Sequence, residues 1–157
     1  MKHYMPVLSR LALVTLVLVT GCASFKEGEK GREAELRRFM PITGKVSLYV
    51  CRERALLVAK GVSSVVFVNN ETVGTVKANT FVHTVLEPGK HGVLLRHDGL
   101  GGGAGGFMTF EGKADELKFL WVGVTGKGFG VLTVDNFDTE AEAKACVNGA
   151  TYSVKPE

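Results

Sequence analysis

From residue 44 onward, apolar and polar positions alternate in short runs separated by turn-forming residues. Residues 45–51 place Val46, Leu48 and Val50 on one face, the period-two pattern of a strand. Residues 62–68 form a Val- and Phe-rich run ending in Asn69-Asn70, a pair suited to a tight hairpin turn. Residues 72–77 then supply the return strand. Residues 80–86 are rich in β-branched and aromatic side chains. Glu87-Pro88-Gly89-Lys90 fits a turn with Pro second and Gly third, and residues 91–96 continue as the next strand. Residues 107–111, 117–124 and 128–134 add three more. In residues 117–124, Leu117, Phe119 and Trp121 share one face while Leu120, Val122 and Val124 share the other, which predicts a central strand. Residues 55–59 fit a strand or a short helix equally well. Residues 139–147 carry a helical signal: Thr139 and Glu142 have capping-box spacing, Ala141, Ala143 and Ala145 favour helix, and Gly149 closes it. Short strands at regular spacing predict a mainly β fold, a small antiparallel β-sandwich or barrel with a short C-terminal helix.

The N-terminal pattern is different. Lys2 and Arg10 flank the start, and residues 11–19 form one apolar run. A membrane-crossing helix needs about 20 such residues, so this run has the length of a signal-peptide core instead. It ends in Val19-Thr20-Gly21-Cys22. Small residues admit a peptidase to the backbone, and Cys22 supplies a thiol that can carry lipid. The segment resembles the lipobox of bacterial lipoproteins. That resemblance implies diacylglycerol on the Cys22 thiol, cleavage before it, and palmitate or another acyl chain on the new amino group. The alternative is an ordinary cleaved signal with an incidental cysteine. Each buried methylene contributes about 0.8 kcal/mol, so three chains would anchor the protein essentially permanently. Ala23 and Ser24 follow, without the Asp that retains lipoproteins at the inner membrane. By the same resemblance, the outer membrane is the expected destination, with the domain facing the periplasm.

The expected organisation is a signal peptide at 1–21, a lipidated charged tether at 22–43 and a β-sandwich domain at 44–157. The tether mixes Lys, Arg and Glu, with Gly28 and Gly31 opposing helix formation. A short helix over 32–39 is compatible with Glu33 and Arg37 at the favourable i,i+4 spacing, and Pro41 would stop it. Read as a solvated spacer, about twenty residues span ~25 Å. A partner-recruiting helix and a helix packed back on the domain are the other two readings.

Charge excludes little but removes one class. The chain has 19 basic and 16 acidic residues. Lys2 and Arg10 lie in the signal peptide, which leaves 17 basic against 16 acidic. No basic surplus remains to suggest a nucleic-acid partner. Apolar residues at 45% are sufficient for a packed core, and 157 residues bound the chain to one ordinary domain with an appendage.

Residues 66–76, with Asn69-Asn70 and Val73-Gly74, followed by Leu86-Glu87-Pro88-Gly89-Lys90-His91, resemble a DUF2846-type lipoprotein domain. They are also similar to the PEGA repeat, in which a hairpin precedes an L-x-P-G-x-H turn. The resemblance implies a prealbumin-like or carboxypeptidase-regulatory-like sandwich. It brings no activity and no catalytic residue.

Candidate chemistry is sparse. With Cys22 lipidated, Cys51 and Cys146 remain, and an oxidising compartment favours one disulfide between them. Two buried thiols, or one thiol paired to a partner, are the alternatives. The glycine-rich stretch 99–106 contains Gly101, Gly102, Gly103, Gly105 and Gly106, and a GxGxxG spacing falls within it. A phosphate cradle needs a following helix, but Phe107 begins a strand pattern and no Lys-Ser/Thr follows. The stretch reads as a flexible hairpin connection. Its functional reading is a ligand flap beside Phe107 and Trp121. His83, His91 and His97 lack metal-ligand spacing, and Asp135-Asn136-Phe137-Asp138 lacks the calcium-loop pattern, so no metal site is expected. No catalytic constellation can be assembled, so no enzyme and no cofactor beyond the lipid are expected.

The expected function is a lipid-anchored, non-enzymatic envelope lipoprotein that presents a β-sandwich to a protein or cell-wall partner. The competing expectation is a periplasmic glycan- or peptide-binding module using the flap and nearby aromatics. A cleft gathering His83, His91 or His97 with Asp98 or Asp135 would revive an enzyme.

Overall fold

The computed structural model describes residues 25–54, 61–98, 104–125 and 130–156. In chain order the elements are β1 (Lys26–Glu27), α1 (Lys30–Leu36), β2 (Val46–Arg52), β3 (Ser64–Val68), β4 (Glu71–Val76), β5 (Thr80–Leu86), β6 (Gly89–His97), β7 (Ala104–Gly112), β8 (Glu116–Thr125), β9 (Val131–Asn136), α2 (Glu140–Gly149) and β10 (Thr151–Val154). They build two sheets, ordered β1-β10-β5-β2-β8-β9 and β4-β3-β6-β7. The result is a mainly β sandwich with its longer helix near the C-terminus, as the strand pattern predicts.

Alternation places the core. Val46, Leu48, Val50, Leu120 and Val122 point from the first sheet toward Val66, Val68, Val93, Leu95 and Phe110 of the second. Burying such side chains contributes roughly 1.5–3 kcal/mol each. The opposite face of the first sheet is also covered. Tyr49, Cys51, Phe81, Phe119 and Tyr152 pack under Leu36 of α1 and under Ala143, Cys146 and Val147 of α2. The molecule therefore has three layers, and β2 is buried along its whole length. Strand β8 lies between β2 and β9 with apolar groups on both faces, the central position its sequence predicts.

The predicted turns form where expected. Asn69 and Asn70 adopt φ of 50° and 69°, the left-handed pair a two-residue hairpin loop needs. Asn69 does more than turn the chain. Its amide nitrogen lies 2.9 Å from His91 Nδ1, and its Oδ1 accepts from Gly92 N at 3.1 Å. His91 Nε2 lies 2.8 Å from the Glu87 carbonyl. With both ring nitrogens engaged, His91 clamps the β3–β4 hairpin to the β5–β6 turn. At the C-terminal helix, the Thr139 hydroxyl accepts from Glu142 N at 3.2 Å, which supplies the expected N-cap.

Three features depart from the sequence expectations. The sandwich is not wholly antiparallel: β2 runs parallel to β8, and β10 runs parallel to β5. Strand β10 is four residues long, too short for an alternating pattern to announce it. Most consequential, residues 26–39 are part of the domain, not a solvated spacer. Strand β1 pairs with β10, and α1 sits on the first sheet. Glu33 binds Arg37 at 2.7 Å and accepts from Tyr152 N at 2.8 Å. Arg37 donates to the Ala150 carbonyl at 2.7 Å, and the Tyr49 hydroxyl donates to the Leu36 carbonyl at 3.0 Å. The favourable i,i+4 pair is present, and its members also tie the helix to β10. The ambiguous run 55–59 lies outside the described residues.

Candidate functional site

The sequence-predicted residues fall in separate places. Cys22 lies outside the described residues, as do Gly101, Gly102 and Gly103. Cys51 and Cys146 form a disulfide, with Cα atoms 6.3 Å apart, joining β2 to α2. Gly105 and Gly106 belong to β7, where they serve packing. A Cβ on Gly106 would stand 2.6 Å from Val134 N, and one on Gly105 would stand 2.7 Å from the Leu95 carbonyl. Lacking side chains, these glycines let β7 close against β9, the edge strand of the other sheet.

Phe107 and Trp121 do not share a site. Phe107 lies on the outer face of the second sheet, 64% exposed, in one cross-strand row with Leu94 and Phe67. Trp121 lies on the helix-covered face of the first sheet, half-buried over Gly123. The two aromatics of the expected flap therefore do not converge. The register decides this, because Phe107 of β7 and Trp121 of β8 both point away from the inter-sheet core.

The histidines are also dispersed. His91 is the structural clamp, His97 ends β6, and His83 faces α1 from β5. Among the described residues, no three His, Cys, Asp or Glu side chains gather as a metal site. Asp135 accepts from Asn136 N at 2.7 Å in the passage from β9 to α2. Among the described residues, neither Asp98, which accepts from Ser63, nor Asp135 is hydrogen-bonded to a histidine.

Among the clefts of the described residues, sequence reading missed the one between α1 and the first sheet. Where α1 leaves the sheet, residues 38–42 arch back toward β2 and leave a cleft of about 300 Å³. Leu36, Met40, Pro41 and Ile42 form its apolar sides, and Ser47, Tyr49 and His83 form its floor. Met40 is 69% exposed, which is unusual for a large apolar side chain beside a pocket. At the rim, Arg32 pairs with Glu35 at 3.0 Å. Arg38 also lines the cleft and, among the described residues, has no acidic partner.

The floor is polar and electrically neutral. Burial, helped by the nearby Arg32 guanidinium, pushes His83 down to about 4, so its imidazole is uncharged at neutral pH. The Tyr49 ring stands 4.6 Å from the His83 ring, centre to centre. Burial pushes the Tyr49 hydroxyl up to about 12, which keeps it protonated to donate to Leu36. Ser47 is 1% exposed, and its hydroxyl has no hydrogen-bond partner among the described residues. A buried polar group left unsatisfied costs about 1–3 kcal/mol. No period or motif marks these residues, because β2, β5 and α1 meet here only in the folded chain. Set against protein-family models, curated proteins and solved structures, the chain matches none of them.

Proposed function

We propose that this chain is a lipid-anchored, non-enzymatic lipoprotein of the bacterial cell envelope, attached through Cys22 and presenting its sandwich to an envelope protein or the cell wall. One observation carries the reading. Of three cysteines, Cys51 and Cys146 pair with each other and leave Cys22 as the single cysteine over. That cysteine directly follows the apolar run and the small residues of a lipobox-like sequence. An internal disulfide suits an oxidising compartment, which a signal-bearing chain reaches. The outer membrane is the destination proposed, since no Asp follows Cys22.

The packed N-terminal segment changes how such an anchor would hold the domain. Only four peptide steps separate Cys22 from Lys26, where β1 begins. At no more than about 3.5 Å per residue, they span about 14 Å, not the ~25 Å of a free spacer. The β1–β10 edge would therefore rest close to the headgroups.

Membrane fractionation and intact mass of wild type and Cys22→Ala test the proposal. Wild type is expected in the membrane fraction with the mass of an acylated chain beginning at Cys22, and Cys22→Ala without lipid, at the mass of the uncleaved chain. A soluble, unacylated wild type would overturn it and leave a diffusible binding protein as the reading.

A further inference from the structure

The cleft between α1 and the first sheet has a composition that the fold alone does not require. Position 47 lies on the sheet face under α1, while its neighbours Val46 and Leu48 point into the other core. Among the described residues, Ser64, Thr75 and Thr133 also bury unpartnered hydroxyls, but of the four only Ser47 lines this cleft. Its hydroxyl is buried beside a neutral His83, and among the described residues neither that hydroxyl nor the His83 ring nitrogens make a hydrogen bond. Between them they present a donor and an acceptor. Above them the walls are apolar, and at the rim Arg38 is a cation without an acid among the described residues.

These three properties define a ligand. A single unpaired guanidinium fits one carboxylate, while the neighbouring Glu35 opposes a second negative charge. A donor and an acceptor on the floor match one amide, which offers the complementary pair. Met40 and Ile42 fit a small apolar side chain between the two. The volume, about 300 Å³, lies at the lower end of small-molecule sites and admits a fragment of one or two residues.

The geometry points to this cleft as a binding site for an acylated amino acid carboxylate, the chemistry of the free carboxyl end of a peptide. The carboxylate pairs with Arg38, the preceding amide bonds Ser47 and His83, and the side chain lies against Met40 and Ile42. The site does not depend on the anchor at Cys22, and it remains if the protein proves diffusible.

The test uses the full chain carrying Cys22→Ala, disulfide intact, with N-acetyl-dialanine as the probe and its C-terminal amide as the matched neutral control. Amide and side-chain NMR signals of Met40, Ser47 and His83 are followed through the titration. Saturable shifts at these residues are expected with a Kd of about 1 mM for the carboxylate, the weak affinity of so small a ligand. Arg38→Gln, an exposed change that leaves the fold intact, weakens binding about fivefold, the scale of one exposed ion pair. The C-terminal amide shows the same loss. Ser47→Ala weakens binding while the free protein melts no lower than before, since the change removes an unsatisfied hydroxyl. A purely structural serine would not separate those two readouts. The proposal is overturned by an absence of saturable shifts below about 10 mM, by shifts confined to other residues, by equal binding of the amide, or by indifference to Arg38→Gln. Equal displacement of the same signals by inorganic phosphate would also overturn it, because the cleft would then read only charge.

Discussion

Reducing the Cys51–Cys146 bridge is the sharpest perturbation of this fold. The two residues are 95 positions apart, and the bond pins α2 over the first sheet. In the chain-entropy treatment, opening a loop of that length relaxes the unfolded chain by about 4.7 kcal/mol at 25 °C. Domains of this size are stable by only about 5–15 kcal/mol, so the loss is a large share of the total. Reduced wild-type protein keeps both sulfur atoms in place and loses only the cross-link. A Cys51→Ala, Cys146→Ala chain also loses packing, because Cys51 is fully buried against the Phe81 and Val147 cluster. That deletion costs about 1–2 kcal/mol more. Urea unfolding of the Cys22→Ala chain, with and without reductant, measures the first term, and the double variant measures the second. The urea dependence should also steepen on reduction, because the unfolded chain expands and exposes more surface. Superimposable curves for oxidised and reduced protein would refute the reasoning. So would alkylation of Cys51 and Cys146 in unfolded protein that had never been reduced.

Three further outcomes follow from the same structure. Gly106→Ala drives a Cβ into the backbone of Thr133 and Val134, so β7 and β9 must part and urea unfolding should show a loss of about 1–3 kcal/mol; Gly31→Ala in α1 meets nothing within 4 Å and should instead stabilise by about 0.5–1 kcal/mol. His83 is held neutral when folded, at about 4, but takes a proton near 6.5 when unfolded, so the unfolded state gains protons first. Its contribution is complete above about 6.5 and falls with pH toward about 4, a loss of about 2 kcal/mol between pH 7 and pH 5. Unfolding midpoints across that range, compared with His83→Leu, should show a flatter profile for the variant; identical profiles would contradict the assignment.

Much of the fold was legible because strands declare themselves locally. Val46, Leu48 and Val50 alternate with side chains of the opposite face, Asn69-Asn70 admit the left-handed turn, and Thr139 caps its helix without help from distant residues. What stayed hidden was pairing at long range. The segment 26–39 carries the charge of a spacer, yet Glu33 and Arg37 find backbone partners on β10 and on the residue preceding it, more than a hundred residues away. Gly105 and Gly106 look like a loop by composition, and only the approach of β9 explains why side chains are absent there.

The sequence by itself determined the approximate positions of β2 to β9 and α2, the turn chemistry and the lipobox-like start, since each rests on residues near one another in the chain. The tertiary structure decided that the two cysteines meet and that Phe107 and Trp121 face apart. It also decided that Arg38, Ser47 and His83 surround one cleft. Such sites depend on register and on which sheet edges touch, and contacts between residues far apart in the chain leave no periodic trace in the sequence.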